Sequence, residues 1–395
     1  MVNQFTTVTN RGCLSNIFGS FVGFIAGPIL VIGAVVLLSW NEGRAVQAIS
    51  GLGEAGGQVV EATTAAVDPG KEGKLVHVTG PVTAAAPLSD PDVQVPFAGQ
   101  VVVSRTVQMY QWVEKTESKT RDKLGGGTET VTTYTYSMAW SDQANDSSRF
   151  EHPENHVNPP MPFGAARWTA SDARLGAYTM DDQTLRLAAV ETPLRPDAPQ
   201  GWTLTGGSLL KGDPASPKVG DLRVTYVGLP SGTTVSVLAA QTHGGFGSFT
   251  TRNGYQLEMV DMGSQPAATM LNEKKQSEGA MTWVLRVVGF MGIFMGVGMF
   301  LGPLSAIAAV IPLLGSITRG AAFLAALVVA VPTTLTVVAL SWIVFRPLVG
   351  IGLLVAAGAL LYGLHRWHQK QHPVAAAGAP PAAPPAAPPS APPVA

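Results

Sequence analysis

The sequence predicts a multi-pass α-helical membrane protein, with four spans in a one-plus-three layout and a large β-rich extramembrane domain between spans 1 and 2. Three observations predict it. Only 13% of the 395 residues are charged while 46% are hydrophobic, about half the charge density of a soluble protein. Long stretches near both ends of the chain lack Asp, Glu, Lys and Arg altogether. The middle of the chain alternates apolar and polar side chains with the period of strands.

The first uncharged run extends from Gly12 to Asn41, with Cys13 its one ionisable group, and Ile17–Trp40 is almost wholly apolar. A span needs about 20 apolar residues. Residues 17–40 are therefore read as transmembrane helix 1, residues 1–16 as a cytosolic N-terminal tail, and Trp40 as an interfacial anchor. The run exceeds the apolar core of a signal peptide and only Arg11 precedes it, which favours a retained span over cleavage near Val46-Gln47-Ala48. Arg286, Arg319 and Arg346 punctuate the later runs. They place spans at 283–301, 320–344 and 347–364, with an apolar connector at 302–319 interrupted by Pro303 and Pro312.

Charge supports the same division. All 26 acidic residues lie between Glu42 and Glu278, with all but six of the 25 basic ones; the exceptions are Arg11, Arg286, Arg319, Arg346, Arg366 and Lys370. An acidic aqueous domain beside basic membrane flanks follows. The bias of Lys and Arg favours termini inside and the domain, 41–282, on the lumenal or periplasmic side. A net charge of -1 excludes a nucleic-acid binder working by bulk charge. A single cysteine, Cys13, excludes a disulfide scaffold, a zinc-thiolate site and a dithiol centre.

Within the insert, strands are expected at 74–79, 100–111, 130–140, 185–191, 222–227, 234–239 and 255–259, where β-branched and aromatic residues alternate with polar ones. The second and third form a long hairpin with a flexible, charged tip at Lys119–Thr128. Helical signal is confined to 171–178 and to the approach to the second span at 267–278. Glu72–Val78 and Val219–Thr225 share a Gly-charged-Leu-x-Val opening, a faint internal echo. The Ala-Ala-Pro-Pro repeats make 365–395 a disordered tail of polyproline II character.

No catalytic constellation emerges, and no cofactor or metal is expected. Gly51-Leu-Gly53-Glu-Ala-Gly56 matches the dinucleotide fingerprint in letters, but it follows a membrane span rather than a buried strand and reads as an exit loop. His152 and His156 have zinc spacing, yet Pro153 lies between them and Pro159-Pro160 follow, so they read as loop histidines. Asp181-Asp182 and Asp90/Asp92 read as solvated turn carboxylates.

Helix-packing signals are stronger. Gly19, Gly23 and Gly27 follow one another at four-residue steps on span 1, and Gly292/Gly296 and Gly298/Gly302 repeat the step near span 2. Such stripes let helix backbones approach closely in lipid. Mid-span acids and lysines are absent, which disfavours a transporter. At the span exit, Trp40, Asn41, Glu42, Gly43 and Arg44 form a membrane-interface motif. Arg44 reaches headgroups, Gly43 ends the span, and the motif fixes the domain's orientation on the bilayer.

A run of short motifs carries a resemblance. In order they are Asn41-Glu-Gly-Arg-Ala45, Glu72-Gly-Lys-Leu-Val-His77, Leu88-Ser-Asp-Pro91, Met109-Tyr-Gln-Trp-Val-Glu114, His156-Val-Asn-Pro159, Val219-Gly-Asp-Leu-Arg-Val224, Thr282-Trp-Val-Leu-Arg286, Met291-Gly-Ile-Phe-Met-Gly296 and Phe345-Arg-Pro-Leu348. From about Gly23 to Leu354 the chain resembles the transmembrane protein 43 (LUMA) family. That resemblance implies a multi-pass protein of the endoplasmic reticulum or inner nuclear membrane if eukaryotic, and of the inner membrane if bacterial. It also implies self-association and the organisation of other membrane proteins, with no catalytic residues to carry over. The functional expectation is a non-enzymatic membrane scaffold whose partners are itself, other membrane proteins and the bilayer. The alternative is a membrane sensor or channel-like protein whose outer domain binds a ligand.

Overall fold

The computed structural model describes residues 3–123, 127–303, 314–345 and 362. Met1–Ser341 forms one compact unit and Trp342–Ala395 a second; both β-sheets and the first three helices lie in the first.

The first sheet runs in the order β1 (Gln4–Arg11), β7 (Thr128–Ser141), β6 (Gln100–Asp122), β14 (Leu222–Pro230), β13 (Ser208–Lys211) and β12 (Thr203–Thr205). β8 (Ala166–Thr169) joins β6, and β11 (Thr192–Leu194) joins β14. The second runs β19 (Met259–Met262), β15 (Thr234–Thr242), β16 (Gly245–Gly247), β10 (Tyr178–Thr179), β9 (Arg174–Leu175), β3 (Leu75–Thr83) and β2 (Val60–Ala62), with β15 also pairing β3. Two small hairpins, β4 (Leu88–Asp90) with β5 (Val95–Phe97) and β17 (Phe249–Thr250) with β18 (Gln256–Leu257), complete the strands. The helices are α1 (Cys13–Gly56), α2 (Asp182–Leu187), α3 (Ala267–Phe300) and α4 (Leu314–Phe345).

Layering follows from burial. Val101 and Val102 of the first sheet pack with Val76, Val78, Val235, Val237 and Ala239 of the second. The opposite face of the second sheet offers Leu75 and Leu238 to Leu52 and Ala55 of α1 and Ala267, Met270 and Leu271 of α3. Sheet, sheet and helix ends thus form three layers, and β15 is buried along seven consecutive residues because both its faces are covered.

Among the described residues, three helices are long and apolar enough to cross a membrane: 22–56, 267–300 and 321–345. The expected span at 347–364 and the tail at 365–395 lie outside the described residues save Tyr362, as does 304–313 of the expected connector.

Several expectations are corrected. Residues 4–11 are not a free tail: they form β1, which pairs with β7 without interruption from Gln4↔Thr135 to Arg11↔Thr128. That ladder ties the N-terminal segment to the sheet of the domain expected across the membrane from it. α1 continues through Gly43 and the Gly51–Gly56 segment to Gly56, and α3 starts at Ala267, so 41–56 and 267–282 extend helices rather than the β-rich domain. The physical reason is burial: Leu52 and Ala55 are fully enclosed in the core, and packing overrides the low helix propensity of glycine. The hairpin ladder persists to Asp122↔Thr128, so residues expected in a flexible tip are paired strand. The expected strand at 185–191 begins instead as α2, capped by Asp181 Oδ1 accepting from Thr184 N–H at 2.8 Å. The expected helix at 171–178 is the turn and strands β9 and β10.

Candidate functional site at the helix-pair clasp

α1 and α3 run antiparallel, and successive contacts climb the pair. At the apolar end, a Cβ on Gly27 would fall on the Gly296 carbonyl oxygen, and one on Gly296 would lie 2.7 Å from the Gly27 carbonyl oxygen. Higher up, Gly292 faces Ala34, and Gly289 faces Leu38 at 2.5 Å from its own would-be Cβ. Gly23 faces the Met299 carbonyl at 3.2 Å. Glycines on both helices therefore set an interaxial distance that no larger side chain permits. Ala34, Leu38 and Ile293 are buried there, joined by Ala330 from α4.

This seam is internal to the protomer. Gly23, Gly27, Gly292 and Gly296 have their faces filled by the neighbouring helix of the same chain, and a second copy has no access to them. Gly298 points into open space. Gly302 follows the end of α3, and the side-chain surroundings of residues 13–21, Gly19 included, lie outside the described residues.

Where the apolar seam ends, a polar clasp begins. Arg286 of α3 donates from Nε to Glu42 Oε1 at 2.6 Å and from Nη2 to Glu42 Oε2 at 2.9 Å. The Glu42 residue is 1% exposed. Asn41, also buried, donates from Nδ2 to the Thr282 carbonyl at 3.1 Å. One turn further out, Arg44 pairs with Glu278 and reaches Thr282 Oγ1 at 3.3 Å. Lys274 adds a second cation 3.3 Å from Glu278. Bidentate geometry matters here, because a carboxylate taken from water needs its lone pairs met.

Trp40 and Trp283 flank the clasp and stay exposed, with the Arg286 guanidinium 4.8 Å from the Trp283 ring centre. The two tryptophans thus stand exposed at the ends of the apolar stretches of α1 and α3. Beyond the clasp, Tyr255 of the β-rich domain directs its hydroxyl at Glu278 Oε1, 3.4 Å away. Burial, followed by the Glu278 charge, pushes the Tyr255 phenol up to about 12. Gln47 donates to the Asn253 carbonyl, and Asn253 returns a bond to the Gln47 carbonyl, both at 2.8 Å. A Cβ on Gly51 would collide with Tyr255 Cβ at 2.5 Å, so that glycine, expected in an exit loop, admits the tyrosine to the helix.

Of the interface motif, Asn41, Glu42 and Arg44 are thus brought together with α3, whereas Arg44 turns to protein rather than to headgroups and Gly43 passes through mid-helix. The partners Glu278, Thr282, Arg286 and Tyr255 were not anticipated. Their signal was present: Glu278, Thr282 and Arg286 recur at four-residue steps, one face of a helix, beside an apolar run.

The other candidates lie elsewhere. His156 Nδ1 donates to the His152 carbonyl at 2.7 Å, and its ring stacks on Tyr136 with centres 3.9 Å apart. His152 stacks on Phe5 of β1 at 4.2 Å, so the pair pins the N-terminal strand. Asp90 and Asp92 are not a solvated pair. Asp90 is fully buried against Arg105, and its outer oxygen accepts from the Tyr226 hydroxyl at 2.6 Å.

The family model for transmembrane protein 43 matches residues 109–347. The chain belongs to the transmembrane protein 43 family. Similar family members include the transmembrane protein 43 homolog of Drosophila melanogaster, 29% identical over 345 residues, 84% of this chain and 91% of that protein. Transmembrane protein 43 of Homo sapiens is 29% identical over 377 residues, 90% of this chain and 92% of the human one. The Mus musculus protein is 28% identical over 363 residues, covering 87% and 89%. No solved structure matches the chain. The family match includes α3 and the strands of the hairpin, whereas the α1 half of the clasp lies before the matched residues.

Proposed function

We propose that this family member is a non-enzymatic integral membrane scaffold that self-associates and organises membrane protein complexes. The observation that supports this reading is continuity. α1 and α3 each pass unbroken from the glycine seam, through the clasp, into the core of the β-rich domain. A domain mounted on two such helices is held in a fixed attitude to the bilayer, which suits display of binding surfaces to neighbours. The compartment follows the source: inner membrane in a bacterium, endoplasmic reticulum or inner nuclear membrane in a eukaryote.

A second reading, a ligand sensor, is favoured by one feature. A cleft of about 450 Å³ opens where both helices enter the domain, lined by Gly56, Val59, Glu61, Ala267, Leu271 and Lys275. A ligand there would act on both helices at once.

The test is extraction of the full chain from its membranes in mild detergent, with native sizing and mass spectrometry of what accompanies it. A defined oligomer with reproducible membrane-protein partners is expected. A clean monomer without partners overturns the scaffold reading and turns attention to ligands for the cleft.

A further inference from the structure

His77 stands where the two long helices join the β-rich domain. It lies on β3, in register with Glu61 of β2 on one side and Leu238 of β15 on the other. Leu238 belongs to the core that holds Leu52 of α1 and Met270 of α3, so this face of the sheet is the one turned to the helices. Thr79, Ser236 and Asp261 continue the same face two residues along their strands. β2 begins four residues after α1 ends, and α3 begins two residues after Gln265.

The residue is 6% exposed and both ring nitrogens are taken. Nδ1 lies 2.7 Å from Glu61 Oε2, and Nε2 lies 2.9 Å from the Gln265 carbonyl oxygen. Both partners are acceptors. A neutral imidazole has one N–H and one bare lone pair, so in either tautomer it turns a lone pair on one of these oxygens. Only the imidazolium donates to both. A proton placed on Glu61 instead serves the same bond, so the pair holds one proton more than a neutral ring beside a carboxylate. The Thr79 hydroxyl does not relieve the ring. It is 3.5 Å from Nε2 but 2.9 Å from Ser236 Oγ, and Ser236 donates to the Gly263 carbonyl, so the Thr79 proton goes to Ser236.

We propose that His77 is a proton switch at the mount of the helices. Charged, the ring fastens β2 and the start of α3 to β3; neutral, it releases one of them. Glu61, Pro266 and Ala267 line the cleft of about 450 Å³ where both helices enter the domain, so release loosens the wall of that cleft. The switch goes beyond the scaffold reading and stands whether or not copies of the chain associate.

Two cations and two further acids face the same region. Lys71 donates to the Glu61 carbonyl at 2.9 Å, and Lys275 of α3 lines the cleft with Glu61, so cations remain near Glu61 when the ring turns neutral. Asp261 lies beyond Ser236 on the same face; burial and then Glu273 of α3 push its carboxyl up, so its protonation has to be told apart from that of His77.

The test is hydrogen–deuterium exchange of the full chain in detergent micelles, each pH being referred to an unstructured peptide so that intrinsic exchange cancels. Histidine changes charge between about pH 5 and 8. Over that range, protection of the amides from Gly263 to Met270 should fall by about tenfold as pH rises, the effect on local opening of losing one bond to a charged group. His77→Gln, with no proton to lose, should abolish the dependence. Glu61→Gln should abolish it too, because an amide donates to the Nδ1 lone pair of the neutral ring while Nε2–H keeps the Gln265 carbonyl. Asp261→Asn should leave the dependence in place. Wild-type protection that ignores pH overturns the proposal, as does a dependence that survives His77→Gln or vanishes with Asp261→Asn. If His77→Gln does not fold, Glu61→Gln decides alone, since its side chain is 74% exposed and the change is tolerated there; a dependence that survives it overturns the switch.

Discussion

Arg286 and Glu42, one on each of two helices long and apolar enough to cross a membrane, form a bidentate pair with bonds of 2.6 and 2.9 Å around a carboxylate closed off from solvent. Removing one partner of such a pair leaves an uncompensated charge and costs about 3–5 kcal/mol. Arg286→Ala should lower the unfolding temperature of the detergent-solubilised protein and expose the 41–56 segment to protease. Arg44→Ala, whose pair with Glu278 is partly exposed, should do so by less. Equal melting of Arg286→Ala and wild type would show that the pair does not hold the helices together.

The glycine seam makes a steric prediction with its own control. Gly27 has the Gly296 carbonyl where a Cβ would stand, whereas Gly33, on the same helix, has nothing within 4 Å. Gly27→Ala should destabilise by about 1–3 kcal/mol, the usual cost of overpacking. Gly33→Ala should be neutral or stabilise by up to about 1 kcal/mol through helix propensity. Thermal unfolding in one detergent reads both, and a Gly27→Ala variant as stable as Gly33→Ala would contradict the close approach.

Much of this was legible in the sequence, and what was not has physical causes. Charge-free runs mark helices because lipid tolerates few alternatives, and Thr130–Trp140 could hardly be other than strand. The glycines at 23, 27, 292 and 296 announced close packing, but spacing alone does not say whether the partner helix belongs to the same chain or another. The helix through Gly51, Gly53 and Gly56 was invisible, since local propensity argues against it and only the buried contacts of Leu52 and Ala55 decide it. β1 was missed for a related reason. Eight residues of threonine-rich text before a span resemble a tail, and the strand exists through its ladder to residues more than a hundred positions away. Asp90 looked like a turn carboxylate because its partner Arg105 lies on another strand.

Two tyrosines predict the alkaline limb of stability. Burial and then the hydrogen bond to Glu114 push the Tyr136 phenol up to about 12, and Tyr255 rises to about 12 beside Glu278. A phenol whose pKa is raised on folding adds stability that is complete below about pH 10, its unfolded value, and is lost as pH climbs through the folded value. Phenolate absorbance should therefore show a late-ionising group that includes Tyr136 and Tyr255 together with Tyr134, Tyr178 and Tyr226, whose phenols burial also pushes up. Tyr136→Phe should remove one of them. A titration in which every tyrosine ionises together near its ordinary pKa would refute the assignment.

The last prediction concerns the centre of the first sheet. Arg105 donates from Nη1 to both oxygens of Asp90 at 2.7 Å, from Nη2 to Asp92 at 2.8 Å, and from Nε and Nη2 to the Gly164 carbonyl at 3.1 and 2.8 Å. Tyr226 donates to Asp90, and the guanidinium lies against the rings of Phe163 and Trp168, 4.6 and 5.2 Å from their centres. Every polar group here is met by another, so the cluster's contribution depends on its being whole. Asp90→Ala takes the fully buried counter-charge from Arg105, leaving it Asp92 and the Gly164 carbonyl, and should cost about 3–5 kcal/mol, whereas Tyr226→Phe removes one bond to a charged group and should cost about 1.5–3 kcal/mol. Arg105→Lys is not conservative, because an ammonium cannot fork between Asp90, Asp92 and the Gly164 carbonyl. The decisive comparison is Asp90→Leu with Arg105→Met, which leaves neither charge buried alone. That double variant should be less destabilised than the two single changes added together, by more than the few tenths of a kcal/mol expected of independent sites. Simple additivity in thermal unfolding would mean that the two charges stabilise the sheet independently, and the cluster would lose its standing as a unit.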